Sequence, residues 1–370
     1  GTGSRGREAL THKPSLYLRG GKQWIILHFD VDTAYLNRVL LEDLYVLALP
    51  GLGYPEGTIL RLKQALYGLK QAAAVWNSTL VKALLQLDLL QLRRDPCCFT
   101  NKDQTLFFVV YVDDIIVAAE TRHLINDLMQ KVAARFALKK LGPVNDVLGM
   151  RVAYNPDEGT VQMSQAGLAD DILERARMDN ARPAGMPLDP GYTDSQADDT
   201  PTTDPTYFRT LLGKAMYLSG TTRPDLSYAV RHLARHQSQP TVTDDNKLKH
   251  VIRYLKSTFD HGLHFSRKPY DDWRLHVYTD SDYASEADRK SVGGYLVFLN
   301  GNLVTWSSKK QSVIAQSSGE AEYMAATEAV KELVGIRQQL DELGIHIAQP
   351  QLFEDNTAAI GIIKGHGKYA

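Results

Sequence analysis

Cysteine is nearly absent: Cys97 and Cys98, neighbours in sequence, are the only two in 370 residues. They make neither a C-x-x-C pair nor a disulfide framework, which excludes a disulfide-stapled scaffold and fits a reducing, intracellular compartment. Long apolar runs are missing too. No stretch approaches the roughly 18 uninterrupted apolar residues of a membrane span, so no membrane partner is expected. The N-terminus, G-T-G-S-R-G-R-E, lacks an apolar h-region and reads as no secretory signal. Net charge is scarce as well, with 42 Lys and Arg against 43 Asp and Glu. That balance argues neither for nor against nucleic acid, so the distribution of charge must decide. The chain is long enough for two or three domains, each with its own core.

What is present is concentrated in Leu106 to Ala119, L-F-F-V-V-Y-V-D-D-I-I-V-A-A. Two β-branched and aromatic runs flank Asp113 and Asp114, which predicts a hairpin with the aspartates at its tip. Adjacent carboxylates beside so much apolar surface repel each other and are costly to desolvate unless a cation holds them. A hard divalent ion, Mg²⁺ in the first place, suits oxygen ligands. A solvated Asp-Asp turn is the competing reading. Gln23 to Phe29 is a second apolar strand, running into Asp30. That carboxylate reaches Asp113 only if the strands share a sheet, and otherwise it caps a turn. Arg61 to Trp76 has a break at Gly68 and then an Ala-rich run, a turn entering a helix with Lys63 and Lys70 near it.

D-V-D-T-A-Y-L-N from Asp30, A-L-Y-G-L-K-Q-A from Ala65 and Y-V-D-D-I-I-V from Tyr111, in that order, resemble the reverse transcriptase of copia-type long-terminal-repeat retrotransposons. The similarity continues through Leu148-Gly149-Met150, Met163-Ser164-Gln165, Thr222-Arg223-Pro224-Asp225 and Arg253-Tyr254-Leu255-Lys256. The final hundred residues resemble that family's ribonuclease H. The resemblance implies an α+β chain: an irregular 1–22, a polymerase palm and thumb-like region over 23–180, a linker over 181–206, a helical connection over 207–271 and a ribonuclease H-like domain over 272–370. It implies Asp30, Asp113 and Asp114 as ligands of two Mg²⁺, with Mn²⁺ as substitute. Tyr35 would crowd a ribose 2′-hydroxyl, and Tyr67, Gly68, Lys70, Gln71 and Tyr111 would line the nucleotide and template. Asp280, Glu322 and Asp355 become a second two-ion set. The partners implied are RNA and DNA template-primer, RNA–DNA hybrid and deoxynucleoside triphosphates, in a cytoplasmic particle or the nucleus.

Local patterns fill in the order of elements. Thr121 to Lys140 has helical periodicity closed by Gly142-Pro143, a strand pair turns at Asn155 to Gly159, and Gln165 to Asn180 reads as a helix. Residues 181–206 are rich in Pro, Asp and Thr without an apolar period. From Tyr207 to Lys268 there are eleven Lys or Arg against four Asp, with five histidines. That surplus offers a path for a phosphate backbone, or only a solvated basic face. His232 and His236 have a chelating spacing, yet no Cys or further His completes a zinc site. Beyond Arg274 come three strands with a turn at Asn300-Gly301, a long helix from Ser318, a strand ending in Glu354-Asp355 and a helix from Thr357.

The departures from the family are specific. Only 29 residues precede Asp30, where the family has a fingers region with a basic triphosphate grip. The family's L-N-G is Leu36-Asn37-Arg38 here, and its Q-A-P-R-A-W is Gln71 to Trp76, without the proline and the arginine. The sequence stops at Ala370, before the family's last acidic helix. The expectation is therefore a polyprotein fragment, without protease, integrase or zinc knuckle, whose fingers are largely missing. It is either an active polymerase with ribonuclease H or a nucleic-acid-binding remnant with impaired catalysis. A third reading takes both acidic clusters as unrelated turns.

Overall fold

The computed structural model of the chain describes residues 24–32, 43–49, 51, 53–63, 70–155, 157–188, 199–202, 204–266, 273–286, 288–347 and 349–365. Tyr35, Tyr67 and Gly68 lie outside the described residues, as do the side chains of Lys70 and Gln71. The fold is mixed α+β and divides into two compact units between Val144 and Asn145.

The first unit is organised around an antiparallel sheet of six strands. β1 (Ile25–Val31) lies between β7 (Asp114–Ala119) and β8 (Leu138–Pro143), and beyond β7 come β6 (Leu106–Tyr111), β5 (Cys98–Thr100) and β4 (Leu90–Gln91). A separate ribbon pairs β2 (Tyr45–Leu47) with β3 (Ile59–Arg61). Apart from Tyr111 and Asp114 beside the turn, β6 and β7 are buried throughout, which is why they read as continuous apolar runs rather than alternating ones. Helix α1 (Lys70–Leu85) and helix α2 (Arg122–Ala133) close one face. On α2 the buried side chains are Ile125, Leu128, Met129 and Val132, one stripe at helical spacing, and Thr121 caps the start by accepting from the Leu124 amide. Each such burial contributes about 1.5–3 kcal/mol.

One expectation is corrected here. The helix predicted through Lys140 ends at Ala133, and Leu138–Pro143 forms β8 instead. β1 offers a free edge on that side, and pairing with it outweighs the local helical period.

The second unit holds two four-stranded sheets, six α-helices and a short 3-10 helix (Pro224–Leu226) among its described residues. β9 (Asp146–Val147), β10 (Met150–Asn155), β11 (Thr160–Ser164) and β12 (Gly262–Ser266) lie side by side in chain order as an antiparallel sheet. Between β11 and β12 the chain makes α3 (Ala166–Ala176), α4 (Pro205–Thr221), α5 (Ser227–Ala234) and α6 (Val242–Ser257), packed around Phe208, Leu212, Val230 and Ile252. A Thr241–Asp244 capping box starts α6. Residues 181–186, expected within a linker, run along α6. Lys256 Nζ donates to the Ala181 carbonyl at 3.0 Å, Arg253 Nε to that of Arg182 at 2.7 Å and Ser257 Oγ to that of Ala184 at 2.8 Å.

The last sheet has the order β15 (Asn302–Lys310), β14 (Val292–Leu299), β13 (Leu275–Asp282), β16 (Gln351–Phe353), with β13 and β16 parallel. Both Asn300 and Gly301 have positive φ, the type I′ hairpin expected of that pair. Helix α7 (Ser318–Glu342) crosses from β15 to β16 and α8 (Thr357–Ile363) follows. Trp306 Nε1 donates to the Ser219 carbonyl at 2.8 Å and ties this sheet to α4.

Candidate active sites

In the first unit the sheet register sets the site. Asp30 lies opposite Asp114 on one side and Lys139 on the other, and Tyr111 lies opposite Asp114. Directly opposed residues share a face, so Tyr111, Asp114, Asp30 and Lys139 form a row across four strands. Asp113 stands beside the row in the hairpin turn, its carbonyl accepting from the Val31 amide at 3.0 Å. Burial pushes the Asp113 carboxyl above the ordinary carboxylate range, and the charges of Asp114 and Asp30 push the same way. His28, two residues before Asp30 and buried, places Nε2 2.7 Å from Asp114 Oδ1. Sequence reading missed both His28 and Lys139. Their types were visible, but their partners depend on pairing that only the folded sheet supplies.

The second unit carries a tighter cluster. Among the described residues, the one trio of candidate ligands whose ligand atoms lie within 4.8 Å of one another is Asp280, Glu322 and Asp355. Asp30, Asp113 and Asp114 make no such trio. Asp280 ends the central part of β13, and extending the β13–β16 register by two residues brings it level with Asp355. Glu322 reaches the same point from the start of α7. Ser317 caps that helix by accepting from the Glu320 amide. A Cβ on Gly319 would sit 3.0 Å from that of Ala358, so the absence of a side chain lets α7 approach α8.

Glu322 is 7% exposed, and its Oε2 is buried without a hydrogen-bond partner. Burial, then the charges of Glu354, Asp280 and Asp355, push its carboxyl up to about 7. Glu354 Oε2 is likewise buried and without a hydrogen-bond partner, which adds a fourth acid that sequence reading passed over beside Asp355. Orphaned carboxylate oxygens among like charges are costly, and a hard divalent cation is the partner that relieves both the burial and the repulsion. The residues present fit Mg²⁺ or Mn²⁺.

Among its described residues, the basic segment 207–268 is largely engaged within the second unit's own fold. Arg223, 2% exposed, holds Asp225 through Nε and Nη2 and donates to the Thr258 carbonyl at 2.8 Å and to Thr258 Oγ1 at 2.6 Å. Burial pushes Asp225 up, but the bonds and charge of Arg223 outweigh it and keep the carboxyl below its usual range. Lys214 pairs with Asp171 at 2.5 Å, Arg235 pairs with Glu286, and Lys247 is buried against His232. Arg253 and Lys256 hold the 181–186 strap. Arg231 and Lys249 are exposed. His232 and His236 meet Lys247, Glu286 and Asp244, and belong to no metal-ligand trio among the described residues.

A carboxylate trio such as Asp280, Glu322 and Asp355 can hold a hard divalent cation. Residues 16–190 match the family described as reverse transcriptase (RNA-dependent DNA polymerase). The chain is 33% identical over 344 residues to the Retrovirus-related Pol polyprotein from transposon RE1 of Arabidopsis thaliana, covering 91% of this chain and 23% of the relative. It is 32% identical over 354 residues to the corresponding polyprotein from transposon TNT 1-94 of Nicotiana tabacum, 90% of this chain and 26% of that one. An uncharacterized mitochondrial protein of Arabidopsis thaliana is 34% identical over 229 residues, 62% of this chain and 93% of the relative. Residues 16–190 belong to the reverse transcriptase family, and along about nine-tenths of its length the chain is similar to Pol polyproteins of copia-type retrotransposons. It spans about a quarter of the length of the transposon polyproteins it matches.

Proposed function

We propose that this chain is the polymerase and ribonuclease H portion of such a polyprotein, with RNA-directed DNA synthesis at the Asp113–Asp114 hairpin and hydrolysis of the RNA strand of RNA–DNA hybrids at Glu322. The observation that carries the reading is that there are two separate carboxylate sets, one in each compact unit, each with an acid raised by burial and like charge. Asp30 and Asp113 would hold cations at the first site, with Asp114 steadied by His28. Asp280, Glu322 and Asp355 would hold them at the second, with Glu354 adding charge. Bound divalent cations supply the charge that activates the attacking oxygen and stabilises the departing one.

The chain's own groups do the rest. Lys139, across from Asp30, offers a positive charge to a phosphate arriving over the row. Tyr111 gives the row an aromatic end on which a sugar or base can rest. At the second site the preference for RNA would come from 2′-hydroxyls and duplex shape rather than base identity.

The test is paired. Primer extension on an RNA template and cleavage of a labelled RNA–DNA hybrid are measured with Mg²⁺ for the parent, Asp113→Asn and Glu322→Gln. Asp113→Asn should lower extension by at least about a hundredfold and spare cleavage, and Glu322→Gln should do the reverse. Extension that survives Asp113→Asn overturns the first assignment, and cleavage that survives Glu322→Gln overturns the second.

A further inference from the structure

The hairpin that carries Asp113 and Asp114 closes through a two-residue turn, Val112–Asp113, between the paired Tyr111 and Asp114. Val112 has φ 59° and Asp113 is not in the positive region. Positive φ at the first turn position alone is the type II′ pattern, whose usual occupant there is glycine. A β-branched residue in that region is a conformational outlier, and such outliers persist only where the surroundings over-determine them. Val112 is 39% exposed, so its own packing does not supply the restraint.

Two hydrogen bonds from outside the hairpin do. Trp76, on α1, donates from Nε1 to the Val112 carbonyl at 2.5 Å. The Val31 amide, at the end of β1, donates to the next carbonyl, that of Asp113. Successive carbonyls of the turn are thus gripped from two different elements. The indole has little freedom to let go. It is 4% exposed and meets the Phe136 ring edge-on at 5.3 Å between centroids.

We infer that Trp76 is a positioning residue for the acidic hairpin: its N–H holds the strained Val112 turn in the shape that presents Asp113 and Asp114 beside Asp30. A buried indole N–H needs an acceptor in any role, so the discriminating point is which acceptor it has, a carbonyl of the strained turn itself. The inference rests on the reading of this hairpin as a cation-holding site, and its test separates the two.

Trp76→Phe keeps an aromatic ring against Phe136 and removes the donor, while Val112→Gly removes the strain. Both, and the double variant, are made in the full chain carrying Asp280→Asn and Glu322→Gln, which silences the other carboxylate set. Amide hydrogen exchange over 106–119 reports the turn directly, and Mn²⁺ titration followed by electron paramagnetic resonance reports the carboxylates. With valine at 112, Trp76→Phe should speed exchange at the tip and weaken Mn²⁺ binding by about tenfold, the worth of one good hydrogen bond. With glycine at 112 the same change should cost about twofold or less, because there is little strain left to hold.

Equal effects in the two backgrounds, or none in either, overturn the inference and return Trp76 to the core. If adding Asp113→Asn to each of these variants leaves Mn²⁺ binding unchanged, the cation reading falls, and the exchange cycle still decides Trp76. Should Trp76→Phe fail to fold, benzothienylalanine at position 76 keeps the bicyclic shape, replaces the N–H with sulfur and takes its place in the cycle.

Discussion

Glu322 joins burial, charge and pH in one side chain. Its carboxyl titrates near 7 in the fold against an ordinary 4.5. Between those values the folded chain keeps a proton that the unfolded chain has lost. The corresponding stability is complete below about 4.5 and is lost as pH rises through 7. The cation-free chain should therefore weaken over that window by roughly 1–3 kcal/mol. Glu322→Gln should remove the slope, and Mg²⁺ should restore the parent above pH 7 without helping the variant. Melts in chelator, repeated with Mg²⁺, check both halves. Asp30, Asp280 and Asp355 carried a local signal, an aspartate following an apolar strand, whereas Glu322 comes from the family resemblance. The fold brings Asp280, Glu322 and Asp355 together, and leaves Asp30, Asp113 and Asp114 short of a ligand trio among the described residues. His28 and Glu354 gave no comparable signal, since their importance comes from which oxygen lies opposite them.

Among the elements, α5 and α6 meet the segment after β13 through a set of charges. His232 has Nε2 3.2 Å from Lys247 Nζ and Nδ1 3.9 Å from Glu286, with Tyr228, Arg235 and His236 around it and Lys310 also on Glu286. Burial, then the Lys247 charge, lower its pKa to about 4, against the pull of Glu286. For a base lowered in the fold, stability is complete above about 6.5 and is lost as pH falls toward 4. His232→Gln should flatten that acid slope, visible in urea titrations at several pH values. The Glu322 slope runs the opposite way over an overlapping window, so the His232 effect is clearest with Glu322→Gln in place.

The same scale shows what periodicity cannot supply. β14, β15, α7 and α8 follow from turn residues, caps and apolar stripes within their own segments. β8 does not: Leu138 to Pro143 pair as a strand because β1 has an edge to fill, a fact that lies more than a hundred residues upstream.

Across the whole molecule, the excess of positive charge in 207–268 reads differently once its partners are known. Most of the described cations there steady carboxylates or carbonyls of the same fold, and a sequence count cannot distinguish them from cations facing a ligand. Arg231 and Lys249 are exposed and become the first choices for phosphate contact. Each change to alanine should lower the slope of log affinity against log salt for an RNA–DNA hybrid by about one. Arg223→Met should act instead on stability, since it strips Asp225 and Thr258 of their shared donor. Filter binding at several salt concentrations, beside thermal melts, separates the two behaviours. A slope that Arg231→Ala and Lys249→Ala leave unchanged would place the phosphate path elsewhere.

The parallel pairing of β13 with β16 also has a consequence in time. Asp280 and Asp355 are neighbours in space, yet roughly 75 residues of chain separate them. At a synthesis rate of about 5–20 residues per second, roughly 4–15 s pass between the emergence of one and of the other. Through that interval the β13–β15 meander can pair, because its contacts are local, while one edge of β13 stays open. A nascent chain is therefore exposed at the strand that bears its first acid until the last one arrives. Ribosome pausing before Asp355 would lengthen the period in which another strand can take that edge.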